Sequence, residues 1–337
     1  AHIPNFNSSA GLYVLEETTK LFNQQPSLYT SLRYRHNGNH IQTFFSCIHI
    51  PSQRIVEIEF DSGDIAVAKS ELTTYYFKLD KRFIPMGGFL KYWLKTNGVV
   101  GHGRNFLPSY GLYLLIIFYL QQKNMVPPGY ALQVDSKSNI IDSWDMGFNE
   151  LPYSSTNTES LYQLLGGFFK YYSEFNFEQY IVSPFTGRPI PRNAFKDIYN
   201  FPEEYTLYNN TLKRTAQLAI QNDLIINTDV CIQDVFTHDL NTGKQISHEQ
   251  ATKFKHLLKS VAAMFEVLPS DSILRAMLVM DGHNETKGNP KMAAPLPSTR
   301  RRPVRVTLTT TVTLTLDNAV LMCADIHIYY FSHLELG

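Results

Sequence analysis

The run Leu112-Tyr113-Leu114-Leu115-Ile116-Ile117-Phe118-Tyr119-Leu120 has no polar side chain other than its tyrosines, and it constrains the fold more than any other stretch. It is far shorter than the roughly 20 apolar residues that a bilayer span requires, so it must be buried inside protein. A surface that is apolar on every side predicts a helix enclosed by other elements. That helix is expected over Leu107–Gln122, opening at Pro108-Ser109. Segments able to enclose it are present. Phe83–Lys95 carries Met86, Phe89, Leu90, Trp93 and Leu94 at helical spacing, and Ser160–Tyr172 ends in Phe168, Phe169, Tyr171 and Tyr172. Thr211–Gln221 and Ser247–Phe265 add two more helices, the second with Ser247 and Gln250 spaced as a capping box.

The first 70 residues read differently. Residues 1–10 look like a frayed end, and Leu12–Phe22 predicts a short helix. Arg33–Arg35 with Asn37-Gly38-Asn39 reads as a polar turn between strand-like pieces. Ile41–Ile50 and Ile55–Phe60 are rich in β-branched and aromatic residues. Asp61-Ser62-Gly63 is a turn signal, and Ile65-Ala66-Val67 reads as a returning strand, with Asp64 at the mouth of the hairpin. Helical character begins near Leu72. After about Leu268 the composition changes. Gly288–Arg302 has the Pro- and Lys/Arg-rich make-up of a linker, and the alternation of Val304, Val306, Leu308, Val312, Leu314 and Leu316 predicts a strand or hairpin.

A chain of 337 residues, 44% hydrophobic and 18% charged, is large enough for two globular domains. Its formal net charge of zero excludes a global field that would collect nucleic acid, so an RNA path would need local patches. Arg33, Arg35, Lys81, Arg82 and Arg104 are the candidates, and each also fits ordinary surface charge. Cys47, Cys231 and Cys323 lie too far apart for a zinc knuckle or a disulfide framework, which fits a reducing intracellular compartment, with the cytoplasm expected and the nucleus or mitochondrion as alternatives. The N-terminus lacks the layout of a signal peptide, and no membrane partner is expected. Because residue 1 is Ala, the chain is expected to be a fragment or a processed product.

Four local features could carry chemistry, and each has a plain structural reading beside it. Asp64 could present a carboxylate to a metal ion and a reacting hydroxyl, or be a polar turn residue. Lys91 and Lys95 stand four apart, on one helix face that suits a polyphosphate or simply solvent. At Leu107-Pro108-Ser109-Tyr110-Gly111 a helix start offers free amides and a hydroxyl to phosphate, with the Tyr110 ring available to a base. The alternative there is an N-cap Ser109 and a core Tyr110. Finally, Val230-Cys231-Ile232-Gln233-Asp234 ends an apolar run in a carboxylate, which is also how many strands end.

Taken in order, these features resemble the non-canonical poly(A) polymerase and terminal uridylyltransferase family, a branch of the polymerase-β-like nucleotidyltransferases. Leu79–Met86 running into Lys91-Tyr92-Trp93-Leu94-Lys95 is similar to the start of that family's central domain, and Leu107–Gly111 to its Ser-Ser-Tyr helix start. Met125-Val126-Pro127-Pro128 and Ile141–Phe148 also fit. Ser160–Tyr172, continuing to Ser183–Arg188, resembles its poly(A)-polymerase-associated (PAP-associated) segment. The likeness covers about residues 12–266, and the insect Tailor-type uridylyltransferases are the nearest in pattern. It implies an α+β, two-domain nucleotidyltransferase: a truncated β-sheet palm over 1–70, a mostly helical central domain over 71–267 with its PAP-associated segment at about 158–215, and a tail over 268–337. It also implies roles. Asp64 would be the catalytic and metal-site carboxylate for Mg²⁺ or Mn²⁺. Lys91, Lys95 and Ser109 would hold the triphosphate, Tyr110 would stack on the base, and Asp234 would lie near it. The implied reaction transfers UMP from UTP to an RNA 3′ end, with ATP use as one alternative and a non-catalytic RNA- or partner-binding protein as another.

The sequence also departs from the family pattern. No Gly-Ser helix start and no Asp-x-Asp pair precede Asp64, so these 337 residues are expected to be inactive by themselves. Ala68-Lys69-Ser70 replaces an Asn-rich link that contacts the sugar, leaving Lys69 as a phosphate candidate. Leu240 stands where uridylyltransferases often carry His, with His238 out of register and Asn241 as the remaining polar candidate for reading the base.

Overall fold

The computed structural model describes residues 8–37, 42–60, 64–101, 105–141, 143–196, 202–206, 208, 224–268, 272–273, 277, 313–316 and 319–322. The chain divides into two compact units, Ala1–Ala68 with Lys291–Gly337, and Lys69–Pro290.

In the first unit, helix α1 (Ser8–Asn23) precedes an antiparallel meander of β1 (Tyr29–Asn37), β2 (Gln42–His49) and β3 (Arg54–Phe60). The period-two alternation of β2 puts Phe45 and Cys47 on one face, opposite Ile58 and Val56 of β3. Leu15 of α1 closes this small core, with Phe22, Tyr29 and Leu32 packed around it. A left-handed Gln53 (φ 54°) brings the chain back into β3. Two expectations need correction here. Ser8–Ala10 is the first turn of α1 rather than a frayed end, and Arg33–Asn37 is strand, because the arginines pair with Ser46 and Phe44 of β2. A short hairpin, β8 (Thr313–Leu316) with β9 (Ala319–Met322), takes in Leu314 and Leu316 of the alternating run expected as a strand, and the rest of that run, Val304–Val312, lies outside the described residues.

Helix α2 (Asp64–Lys78) replaces the returning strand expected at Ile65–Val67. Two β-branched residues favoured a strand, but Ala68, Leu72, Tyr75 and Tyr76 recur at helical spacing and all are buried, so the longer period wins. The hairpin turn expected at Asp61–Gly63 lies outside the described residues.

The second unit is built on α4 (Ser109–Gln122). Between Gly111 and Gln121 only Tyr113 is not fully buried. α3 (Phe83–Thr96), α6 (Leu161–Glu174) and α7 (His248–Val267) supply the surroundings. Tyr172 donates its hydroxyl to Leu115 O at 2.6 Å, tying α6 to α4. Trp93 of α3 meets Phe169 edge-on at 5.4 Å. A Cβ on Gly166 would stand 2.6 Å from the Phe265 ring, so the missing side chain is what lets α7 approach α6. Ser160 caps α6 with a full capping box to Gln163. At Ser247 only half of the expected box forms: its hydroxyl accepts from Gln250 N, and Gln250 Oε1 has no partner among the described residues. Between these helices lie the short α5 (Gly129–Gln133) and two small hairpins, β4 (Ile140–Ile141) with β5 (Trp144–Asp145), and β6 (Tyr180–Ile181) with β7 (Ile190–Pro191). The helix expected at Thr211–Gln221 and the linker at Gly288–Arg302 fall outside the described residues.

Candidate functional site

α4 begins at a proline. Pro108 holds the N-cap position in an extended conformation (φ −66°, ψ 151°), and Ser109 is the first helical residue rather than the cap. The first intrahelical bond is Leu112 N–H to Pro108 O, at 3.2 Å. The N–H groups of Ser109, Tyr110 and Gly111 precede it, at the positive end of the helix dipole. Gly111 is fixed by crowding, since a Cβ there would meet Leu107 at 2.9 Å and Thr242 Oγ1 at 3.3 Å.

Across from this turn lies the loop that follows Ile232. Asp234 is fully buried, and its Oδ1 accepts from Phe236 N and Thr237 N, both at 2.9 Å. That arrangement folds the loop back on itself, as short acidic side chains do at turns. Its Oδ2 faces Lys69 Nζ of α2 at 2.8 Å, and the same ammonium donates to Thr237 Oγ1 at 2.9 Å. A buried carboxylate left alone would be costly, and the ammonium beside it offsets that cost. Lys69 Nζ also lies 5.8 Å from the Tyr110 ring centroid. Burial first, and then the Asp234 charge, hold the Tyr110 phenol well above its usual value.

Of the residues expected to contact nucleotide, Tyr110 and Asp234 are therefore brought together. Lys91 is half-buried on α3 and sits 5.8 Å from the ring of Tyr113, three residues beyond Tyr110 on α4. Lys95 is exposed in the last turn of α3. Asp64 is the first residue of α2. Among the described residues no three His, Cys, Asp or Glu side chains gather as a metal site. One carboxylate cannot hold two divalent cations. The described residues therefore do not fit the metal pair that the resemblance implies.

Several expectations about neighbouring residues are corrected. Asn241 is not available to a base. Its Oδ1 accepts from Ile232 N (3.0 Å) and Gly243 N (2.8 Å), and its Nδ2 donates to Ile225 O (2.9 Å) and Thr228 Oγ1 (3.0 Å). It is the clasp of the loop. Arg82, a candidate for an RNA path, is likewise engaged, with Asp80, Asn157 and Glu159. Arg33 is exposed, whereas Arg104 and His102 lie outside the described residues.

Sequence reasoning missed the layer beneath the loop. Gln233 Oε1 accepts from Ser183 Oγ (2.9 Å) and Tyr205 Oη (2.5 Å), and its Nε2 donates to His238 O (3.0 Å). The His238 ring lies among Phe185, Tyr205, Trp144 and Tyr208, with centroids 4.1, 5.3, 5.5 and 5.9 Å away. Burial lowers its pKa to about 4. The wealth of aromatic residues was visible in the sequence, but nothing in it said which rings would meet.

Comparison with known proteins agrees with this architecture. Residues 160–240 match the family model described as Cid1 family poly A polymerase. Poly(A) RNA polymerase gld-2 homolog A of Drosophila melanogaster is 24% identical over 247 residues, 68% of this chain and 17% of that protein. Terminal uridylyltransferase cid1 of Schizosaccharomyces pombe is 34% identical over 115 residues, 32% of this chain and 28% of that protein. The chain thus spans less than a third of the length of these relatives. Among solved structures, mtPAP in complex with UTP superposes with a TM-score of 0.60 at 19% identity, covering 81% of this chain and 52% of that one. The Cid1 poly(U) polymerase superposes with a TM-score of 0.55 at 20% identity, covering 77% and 75%. Residues 160–240 thus match the Cid1-family PAP-associated model, and the chain is similar to GLD2-type poly(A) polymerases and to the Cid1 uridylyltransferase and shares the fold of solved nucleotidyltransferases.

Proposed function

We propose that this chain binds a nucleoside triphosphate and serves as the nucleotide-binding part of an RNA 3′-terminal nucleotidyltransferase that transfers UMP from UTP. The observation that carries the reading is the convergence of Tyr110, Lys69 and Asp234 at the open amide end of α4. A base stacks on the Tyr110 ring. The triphosphate lies toward the N–H groups of Ser109–Gly111 and the Ser109 hydroxyl, with Lys91 and Lys95 supplying positive charge. Asp64 is the carboxylate proposed to act at the reacting hydroxyl. In the reaction the RNA 3′-hydroxyl oxygen bonds to the α-phosphorus, its proton leaves, and pyrophosphate departs. The RNA 3′ end is the second substrate.

A second reading, AMP transfer from ATP, has its own support. Leu240 stands at the position where a uridylyltransferase often has His, and GLD2-type poly(A) polymerases are among the relatives. For location, no described helix is long and apolar enough to cross a membrane, and a cytoplasmic role is proposed from cysteine usage. The test is calorimetric titration of the chain with UTP and with ATP. Binding of UTP that is weakened by Tyr110→Ala and by Lys91→Ala is expected. Equal affinity for every nucleotide, unmoved by either substitution, removes the reading.

A further inference from the structure

We infer that Lys69 is a specificity-determining residue, donating a hydrogen bond to a carbonyl oxygen of the base and so favouring uracil over bases that carry an exocyclic amine. The inference rests on the proposal above that a base stacks on Tyr110. An ammonium has three N–H donors and no acceptor. Among the described residues it donates one hydrogen bond, to Thr237 Oγ1 at 2.9 Å, and forms an ion pair with Asp234 Oδ2 at 2.8 Å. An N–H remains beyond these contacts, and Nζ stands 5.8 Å from the Tyr110 centroid, within reach of the edge of a ring lying on that tyrosine. The Lys69 side chain keeps 13% of its surface open.

The surrounding groups sharpen this selection. The acceptor best able to take an adenine or cytosine amine would be Asp234. Its Oδ1 accepts from two backbone N–H groups, while Oδ2 is held in an ion pair with Lys69 and accepts no hydrogen bond among the described residues. Asn241, the other polar candidate, has its amide filled on both sides. What faces the base edge is thus the Lys69 ammonium, with the neighbouring Asp234 Oδ2 held to it as an ion pair. Uracil presents two carbonyl oxygens to such a group. An exocyclic amine in the same place would set donor against donor, which is the kind of mismatch that separates similar substrates.

The test measures binding of UTP, ATP and CTP to the 337-residue chain. Lys69→Met alone leaves Asp234 buried without a counter-charge and is expected to destabilise the fold, so Lys69→Met with Asp234→Asn is made beside it; the asparagine Oδ1 can still accept from Phe236 and Thr237. The expected result is a loss of UTP affinity of about tenfold, with ATP and CTP affinities moving less than about threefold. Lys69→Arg, which keeps the donor, is expected to retain most of the UTP preference. A parallel fall for all three nucleotides, or no change, overturns the inference while Tyr110-dependent binding stands. Failure of the unaltered chain to bind any nucleotide overturns the stacking reading as well, and Tyr110→Ala tells the two failures apart.

Discussion

Lys69 and Arg82 belong to successive parts of the same unit, and both pair with an aspartate in a largely enclosed setting. The Arg82 side chain is 16% exposed and that of Lys69 13%. Arg82 has all five of its N–H groups engaged. Nε and one Nη2 hydrogen hold Asp80, the other Nη2 hydrogen bonds Asn157 O, and Nη1 donates to Asn157 Oδ1 and Glu159 O. It fastens the α2–α3 turn to the segment leading into α6, and nothing is left over for a ligand. Lys69 holds its loop with one hydrogen bond and one ion pair and keeps an N–H beyond them. The comparison teaches that a buried cation is read by its unengaged valences rather than by its charge.

Breaking the Arg82 side of the comparison gives the largest expected effect. Arg82→Ala removes five hydrogen bonds and strands Asp80, and destabilises the fold by about 3 kcal/mol. Urea unfolding measures this, while nucleotide affinity of the folded fraction changes less than about twofold. His238 comes next, because it too has an unengaged atom: Nε2 meets Val235 O at 3.0 Å, whereas Nδ1 has no partner among the described residues. Its folded pKa of about 4 lies below the usual value of 6.5, so the unfolded chain binds more protons between those limits. The stability it contributes is present above pH 6.5 and is lost as pH falls through 4, up to about 3 kcal/mol in all. His238→Phe is expected to flatten the stability profile between those pH values without altering nucleotide affinity. A large loss of binding would mean that an unengaged atom marks a contact here as well.

Asn241→Ala removes the clasp of the loop, costs about 2 kcal/mol in thermal unfolding, and leaves the ratio of UTP to ATP affinity where it was. Tyr110→Ala sharpens the Lys69 side, with affinity for every nucleotide falling roughly tenfold as the stacking surface goes. Lys91→Ala is the smallest, a loss of about threefold in affinity, since its ammonium is partly solvated beside Tyr113.

What could be read in the sequence follows from range. The apolar run of α4, the aromatic end of α6 and the β-branched and aromatic content of β2 are local patterns, and each produced the element expected of it. Ile65–Val67 went wrong because three residues carry too little period to tell a strand from the start of a helix. The site was legible as a set of residue types at the start of α4 and at Asp234, but their engagement was not. Lys69 meets Thr237 across 168 positions, and Arg82 meets Asn157 across 75. No spacing rule reaches that far, so Arg82 and Asn241 looked as free as Lys69.

The enclosure of α4 also makes the molecule its own clock. Amide hydrogens at Leu115 or Phe118 sit in a helix buried on all sides, so deuterium replaces them only when the whole second unit opens. Those at Ser109, Tyr110 and Gly111, ahead of the first intrahelical bond, exchange from the native state. One isotope-exchange experiment on this single helix therefore reports global opening from its middle and occupancy of the proposed nucleotide site from its first turn.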